Sequence, residues 1–219
     1  GITIASRSGT ASDPICFFAY PPDYEAGNIP IFDCSGYPKD VTYLFGMRIL
    51  WVQYIHIKGL EIRNMAQRNP GGLNTGIHIE GCKHITLENM VVHNVGGYGN
   101  VVYISDDVLY KNCDAYDLVD PYGENPGNDG DGFLWNFGND NPDSSKFHKV
   151  TYRGCRVWDF GDNGFAGFGG QVEIDNCWAF SGGRLEGAGC GLKYSIGVGT
   201  DETRSEERRV GKECRYRWS

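Results

Sequence analysis

Residues 150–180, VTYRGCRVWDFGDNGFAGFGGQVEIDNCWAF, decide the fold. They hold the same phrase twice. VTYRGCRVWDF (150–160) and VEIDNCWAF (172–180) each run through alternating apolar residues, a turn residue, a cysteine and a second short apolar stretch. Alternation at a period of two is strand patterning. Working outward, the phrase returns in IKGLEIRNM (57–65), ITLENMVVHNV (85–95) and VLYKNCDAYDL (108–118). The turn residues Gly59, Asn89, Asn112, Gly154 and Asn176 anchor the five copies, at spacings of 30, 23, 42 and 22. The short spacings set the period. The long ones hold loops, 66–75 and 119–146, rich in Asn, Pro, Gly and Asp. A second set of short strands lies between the copies: GIHIE (76–80), NVVYI (100–104), DGFLW (131–135), NGFAGF (163–168) and CGLKYS (190–195). No window keeps helical periodicity. Two or three short strands per repeat predict an all-β chain wound as a parallel β-helix, one coil per repeat. A β-sandwich also has short strands and turns, but it has no reason to return one dipeptide to one corner.

The winding gives the cysteines a place. After the anchors come Leu60, Met90, Cys113, Cys155 and Cys177. Stacked coils put these in one internal column, about 4.8 Å apart per coil, where cysteine packs as a small hydrophobe. Asparagine suits the corner because it tolerates the left-handed region and hydrogen-bonds nearby backbone. No pair among the eight cysteines has C-x-x-C spacing, which argues against a zinc ribbon. A disulfide framework is the alternative to the thiol column. Near the N-terminus, ICFFAY (15–20) and IPIFDC (29–34) read as strands parted by a Pro-Pro-Asp turn, and 43–51 as another strand.

Composition excludes other classes. Of 219 residues, 40% are hydrophobic and 22% charged, so the chain folds. Its 32 glycines lack the every-third spacing of collagen. No apolar run nears the roughly 20 residues needed to span a bilayer. A net charge of −8 argues against nucleic acid, which requires a basic face. The chain opens at Gly1 without methionine or a basic-then-apolar leader, which reads as a processed product or a fragment. Residues 1–200 are expected to form the β-helix. In 201–219 the repeat stops, and charged side chains crowd a stretch with no apolar face. This stretch is expected to lie outside the fold, as an artefactual end to a truncated gene.

The candidate chemistry falls on the second strand set. Aligning the Gly132-Phe133, Gly164-Phe165 and Gly191-Leu192 pairs puts Asp131, Asn163 and Cys190 in one column, and Leu134, Ala166 and Lys193 in another. Oxygen-bearing side chains and a lysine thus meet across coils on one outer face. Carboxylate and amide oxygens suit calcium. The Asp129–Asp131 segment lacks the glycine and closing glutamate of an EF-hand. Taken alone, the Asp-Gly pairs are ordinary turn chemistry, and Lys193 is a solvated lysine.

Together, however, D131-G-F, then R153-G-C-R-V-W-D-F-G-D-N-G-F-A166, then V172-E-I-D-N-C-W-A-F, then G189-C-G-L-K193 resemble pectate lyases of polysaccharide lyase family nine, over most of residues 1–197. The resemblance implies a right-handed parallel β-helix that cleaves polygalacturonate or a related uronan by calcium-assisted β-elimination. It implies Asp131, Asp162 and Asn163 as calcium ligands, with Asn163 standing where the family has aspartate. Ala166 falls on a fourth ligand position and cannot ligate. It implies Lys193 as the base. Since a free lysine titrates near about 10.4, such a base favours alkaline pH. The implied partner is an acidic plant-type polysaccharide, without nucleic acid or membrane, for a secreted monomer. Two other readings stay open: a non-catalytic carbohydrate-binding β-helix, and a glycoside hydrolase with Asp131 and Asp162 as acid and base.

Overall fold

A computed structural model describes residues 1–37, 43–69, 72–122, 124–137 and 148–195. The expected tail, 201–219, lies outside the described residues. Among the described residues, nineteen strands wind through seven coils into three sheets, with every pairing parallel. Sheet A stacks β1 (Ile2–Ile4), β4 (Phe45–Leu50), β7 (Asn74–Glu80), β10 (Gly97–Tyr103), β13 (Phe133–Asn136), β16 (Asn163–Phe168) and β19 (Cys190–Ser195). Sheet B stacks β2 (Ile15–Phe18), β5 (Gln53–Lys58), β8 (Lys83–Glu88), β11 (Asp106–Lys111), β14 (Lys149–Arg153) and β17 (Gln171–Asp175). Sheet C stacks β3 (Ile31–Asp33), β6 (Glu61–Met65), β9 (Val91–Val95), β12 (Asp114–Leu118), β15 (Arg156–Phe160) and β18 (Trp178–Gly182). The chain is thus a right-handed parallel β-helix. Its one helix among the described residues, α1 (Pro21–Glu25), replaces the expected Pro-Pro-Asp turn. Proline fits a first helical turn because its missing N–H has no partner to lose there. No described helix is long and apolar enough to cross a membrane.

The five anchors form the B-to-C corner. Gly59, Asn89, Asn112, Gly154 and Asn176 have φ of 75°, 52°, 52°, 66° and 50°. The first four donate their N–H to a carbonyl of the next coil: Glu88, Lys111, Arg153 and Asp175, at 2.8–3.0 Å. The column behind them is internal. Leu60, Met90, Cys113 and Cys155 are buried. Cys177, on the last complete coil of the described residues, is only half-buried, and its Sγ accepts the Cys155 N–H at 3.3 Å. Hydrogen bonding to Cys113, with burial, raises the Cys155 pKa, so this thiol stays protonated. No disulfide forms among the described residues.

A second column was written in the sequence as Gly before an apolar residue. Gly76 and Gly132 lie where sheet A passes over sheet C. A Cβ at Gly76 would sit 2.2 Å from Val92 Cγ1, and one at Gly132 2.4 Å from Val157 Cγ2. The missing side chains let sheet C pack directly on the sheet A backbone. On the outer face of sheet C, register stacks His93, Tyr116, Trp158 and Phe180. Their ring centroids are 4.5, 4.4 and 5.7 Å apart, with planes within 8° of parallel.

Candidate active site

The chain turns from sheet C back to sheet A through loops of unequal length, and the acidic residues gather at this corner. Asp131 precedes β13, while one coil further on Asp162 precedes β16 and Asn163 opens it. The register expected from the Gly-aromatic pairs holds: Phe133 faces Phe165, Asn163 faces Cys190, and Leu134, Ala166 and Lys193 follow in one column. Asn163 joins the carboxylates. Its backbone N–H and side-chain Nδ2 donate to Asp131 Oδ1 at 2.9 and 2.8 Å, and Nδ2 also donates to Asp162 Oδ2. The 183–189 segment covers them, since Ala188 N–H donates to Asp162 Oδ1 at 3.2 Å and Gly183 N–H to the Gly161 carbonyl at 3.1 Å. Asp131, Asp162 and Asn163 are 5%, 5% and 2% exposed. The expectation of a cluster on one outer face is therefore corrected. The oxygens converge, but under a loop, and only Lys193 stands on the exposed face.

Burial has an electrostatic cost here. It pushes the Asp131 carboxyl up to about 7, with the Asp162 charge adding to the rise and the Asn163 side-chain hydrogen bond opposing it. Burial also raises Asp162, against the lowering effects of the Ala188 N–H and the Lys193 charge. Two further aspartates contribute, of which the sequence singles out Asp129 beside Asp131 but not Asp120. Asp120, 2% exposed, accepts the Asp129 N–H at 3.1 Å, and its pKa is raised by burial. Asp129 accepts the Tyr98 hydroxyl at 2.9 Å, and its charge raises Asp131, Asp162 and Tyr98. Both lie in the long 119–146 loop, whose aspartates read as turn residues.

The donor set fits a hard cation in one respect. Asn163 Oδ1 is buried without a hydrogen-bond partner, because Nδ2 faces both carboxylates. A half-turn of the amide exchanges the two, bringing an amide oxygen beside Asp131 and Asp162. Those three residues are the ones that would hold calcium. Ala166, buried between Leu134 and Lys193, adds no ligand. Among the described residues no three Asp, Glu, His or Cys side chains are placed to hold a metal ion together.

The sequence pattern of one family, described as Pel9A-like, right-handed beta helix region, matches residues 1–214. The chain belongs to that family. Pectate lyase L of Dickeya chrysanthemi is 29% identical over 142 residues, 59% of this chain and 27% of its own. The crystal structure of pectate lyase Pel9A superposes with a TM-score of 0.59 at 24% identity, covering 84% of this chain and 44% of that one. An alginate lyase from Paenibacillus sp. str. FPU-7 gives 0.60 at 17% identity, over 89% of this chain and 61% of that one. At these identities the two structures bear on the fold alone. The chain spans less than two thirds of each of these proteins. The Pel9A-like match runs through residue 214, into the stretch expected to stand outside the fold.

Proposed function

We propose that this Pel9A-like chain carries the catalytic face of a secreted polysaccharide lyase that cleaves a uronan, polygalacturonate first, by β-elimination with Lys193 as base. One observation supports this above the others: register brings an exposed lysine to the coil next to the one that carries Asp162 and Asn163, close enough that its charge lowers the Asp162 pKa. A uronate C5–H is a weak acid, and elimination needs both a base and relief of the negative charge that develops on the carboxylate. Lys193 Nζ, in its neutral form, takes the C5 proton. The C5–H electrons form the C4–C5 double bond, the bond from C4 to the glycosidic oxygen breaks, and that oxygen takes a proton from water. Asp131, Asp162 and Asn163 would hold calcium, which when bound supplies positive charge at the sugar carboxylate. The Asp120–Asp129–Tyr98 hydrogen bonds fix the loop that carries Asp131.

The test is Lys193→Ala assayed on polygalacturonate and on alginate by ultraviolet absorbance of the conjugated product. Loss of a general base is worth about 10²–10⁴-fold in rate, and removing an exposed lysine leaves the melting temperature unchanged. An unaltered rate removes Lys193 from the mechanism. Saturable binding by the native chain without any unsaturated product favours the binding-module reading, to which Ala166 already lends weight. A new reducing end without absorbance favours the hydrolase.

A further inference from the structure

Following the Lys193 column away from the acidic corner gives, in register, Ala166, Leu134, Val101, His78, Arg48 and Thr3 on the outer face of sheet A. Its only full cations are Lys193 and Arg48. They stand five coils apart, about 24 Å along the axis at the usual strand spacing. Arg48 differs from the described arginines on the outer faces of sheets B and C and in the 183–189 segment. Arg63, Arg153, Arg156 and Arg184 each pair with a carboxylate. Among the described residues Arg48 pairs with none, and its Nε is buried without a hydrogen-bond partner. Its guanidinium lies 4.8 Å from the Phe45 ring centroid, which holds the plane in place without using any N–H. The one nearby carboxylate on the next coil, Glu80, is engaged by His78 Nε2 at 3.1 Å. Burial lowers the His78 pKa, so Arg48 is the standing positive charge here.

We propose that Arg48 is a remote carboxylate-binding position for the same polymer, so that a uronan lies along the outer face of sheet A, parallel to the helix axis, from Lys193 to Arg48. The reading rests on the uronan assignment above and adds a direction and a length to it. Chemistry selects the occupant. A fixed guanidinium with unused donors recognises a planar carboxylate. An extended uronan carries one carboxylate per sugar and advances per sugar by a distance similar to one coil. A neutral glucan offers no such group.

The experiment is calorimetric titration of the native chain and Arg48→Gln with a tri-uronate and with an oligo-uronate long enough to span five coils, with Arg48→Lys as the conservative variant. One charge-assisted hydrogen-bonded pair corresponds to about tenfold in affinity. Arg48→Gln is therefore expected to weaken the long oligomer about tenfold and leave the trimer unchanged, with partial recovery in Arg48→Lys. In turnover the same variant is expected to raise KM for long substrate at constant kcat, as loss of uniform binding does. Equal weakening of both lengths would mean a structural role and overturn the proposal, as would no change in either. If the native chain binds neither uronate, the uronan reading falls and takes the proposal with it. If it binds both and Arg48→Gln is silent, only the proposal falls.

Discussion

The two corners of the coil solve the same problem differently. At the B-to-C corner the five turns after the first coil are made alike: a left-handed Asn or Gly, its N–H on the next coil in the first four, and an apolar or sulfur side chain behind it. At the C-to-A corner the loops differ in length and bury Asp120, Asp131 and Asp162 beside Asp129. The first corner satisfies its polar groups within the repeat. The second leaves negative charge short of water and leaves Asn163 Oδ1 without a partner. Regularity sustains the solenoid, and the departure from it is where a cation and a charged substrate have something to offer.

The sharpest way to break this contrast is to put a carboxylate in the regular corner. Cys155→Asp buries a charge where no cation or donor set awaits it, at a cost of about 3–5 kcal/mol. Thermal melting should fall steeply, and calcium should not restore it. Asn163→Asp makes the opposite case. It adds a carboxylate to a corner that already has two, so without calcium the melting temperature should fall. With calcium it should recover beyond the native chain's own gain, because ligand charge raises affinity for a hard cation. A variant that calcium fails to rescue would remove the metal reading.

Acidity tests the second corner alone. Asp131 has a folded pKa of about 7 against 3.8 unfolded, so between those values the folded state holds the extra proton. Stability is then greatest below the unfolded value and is lost as pH rises through about 4 to 7. In chelator, melting followed from pH 4 to 8 should show this decline, and Asp131→Asn should flatten it. The smallest effect is expected at Asn112, whose φ is 52°. Alanine there costs about 1 kcal/mol for the left-handed backbone, while glycine is nearly neutral. Chemical denaturation would resolve the two.

Much of the fold was legible because the period was. The five anchors, the column behind them and the alignment of Lys193 with Ala166 and Leu134 follow from spacing, since parallel coils turn sequence register directly into spatial register. The burial of the site was not legible. It depends on residues 183–189 folding over Asp162, a contact between loops that carry no repeat. Asp120 was hidden for the same reason, since an aspartate in a long loop has the composition of a turn whether it faces water or another carboxylate. Arg48 was invisible as a site because it belongs to no motif. It becomes visible only when each arginine's partner is known.

The ring stack on sheet C has an optical consequence. Tyr116 and Trp158 lie 4.4 Å apart with nearly parallel planes, with Phe180 beyond and His93 before. Chromophores at that separation couple, so light absorbed by Tyr116 is passed to Trp158 and the pair contributes a signed near-ultraviolet dichroism. A slip of β15 by one residue against β12 would turn Trp158 to the other side of the sheet and extinguish the signal. The outer face of sheet C thus carries a built-in spectroscopic gauge of coil register, readable without any label.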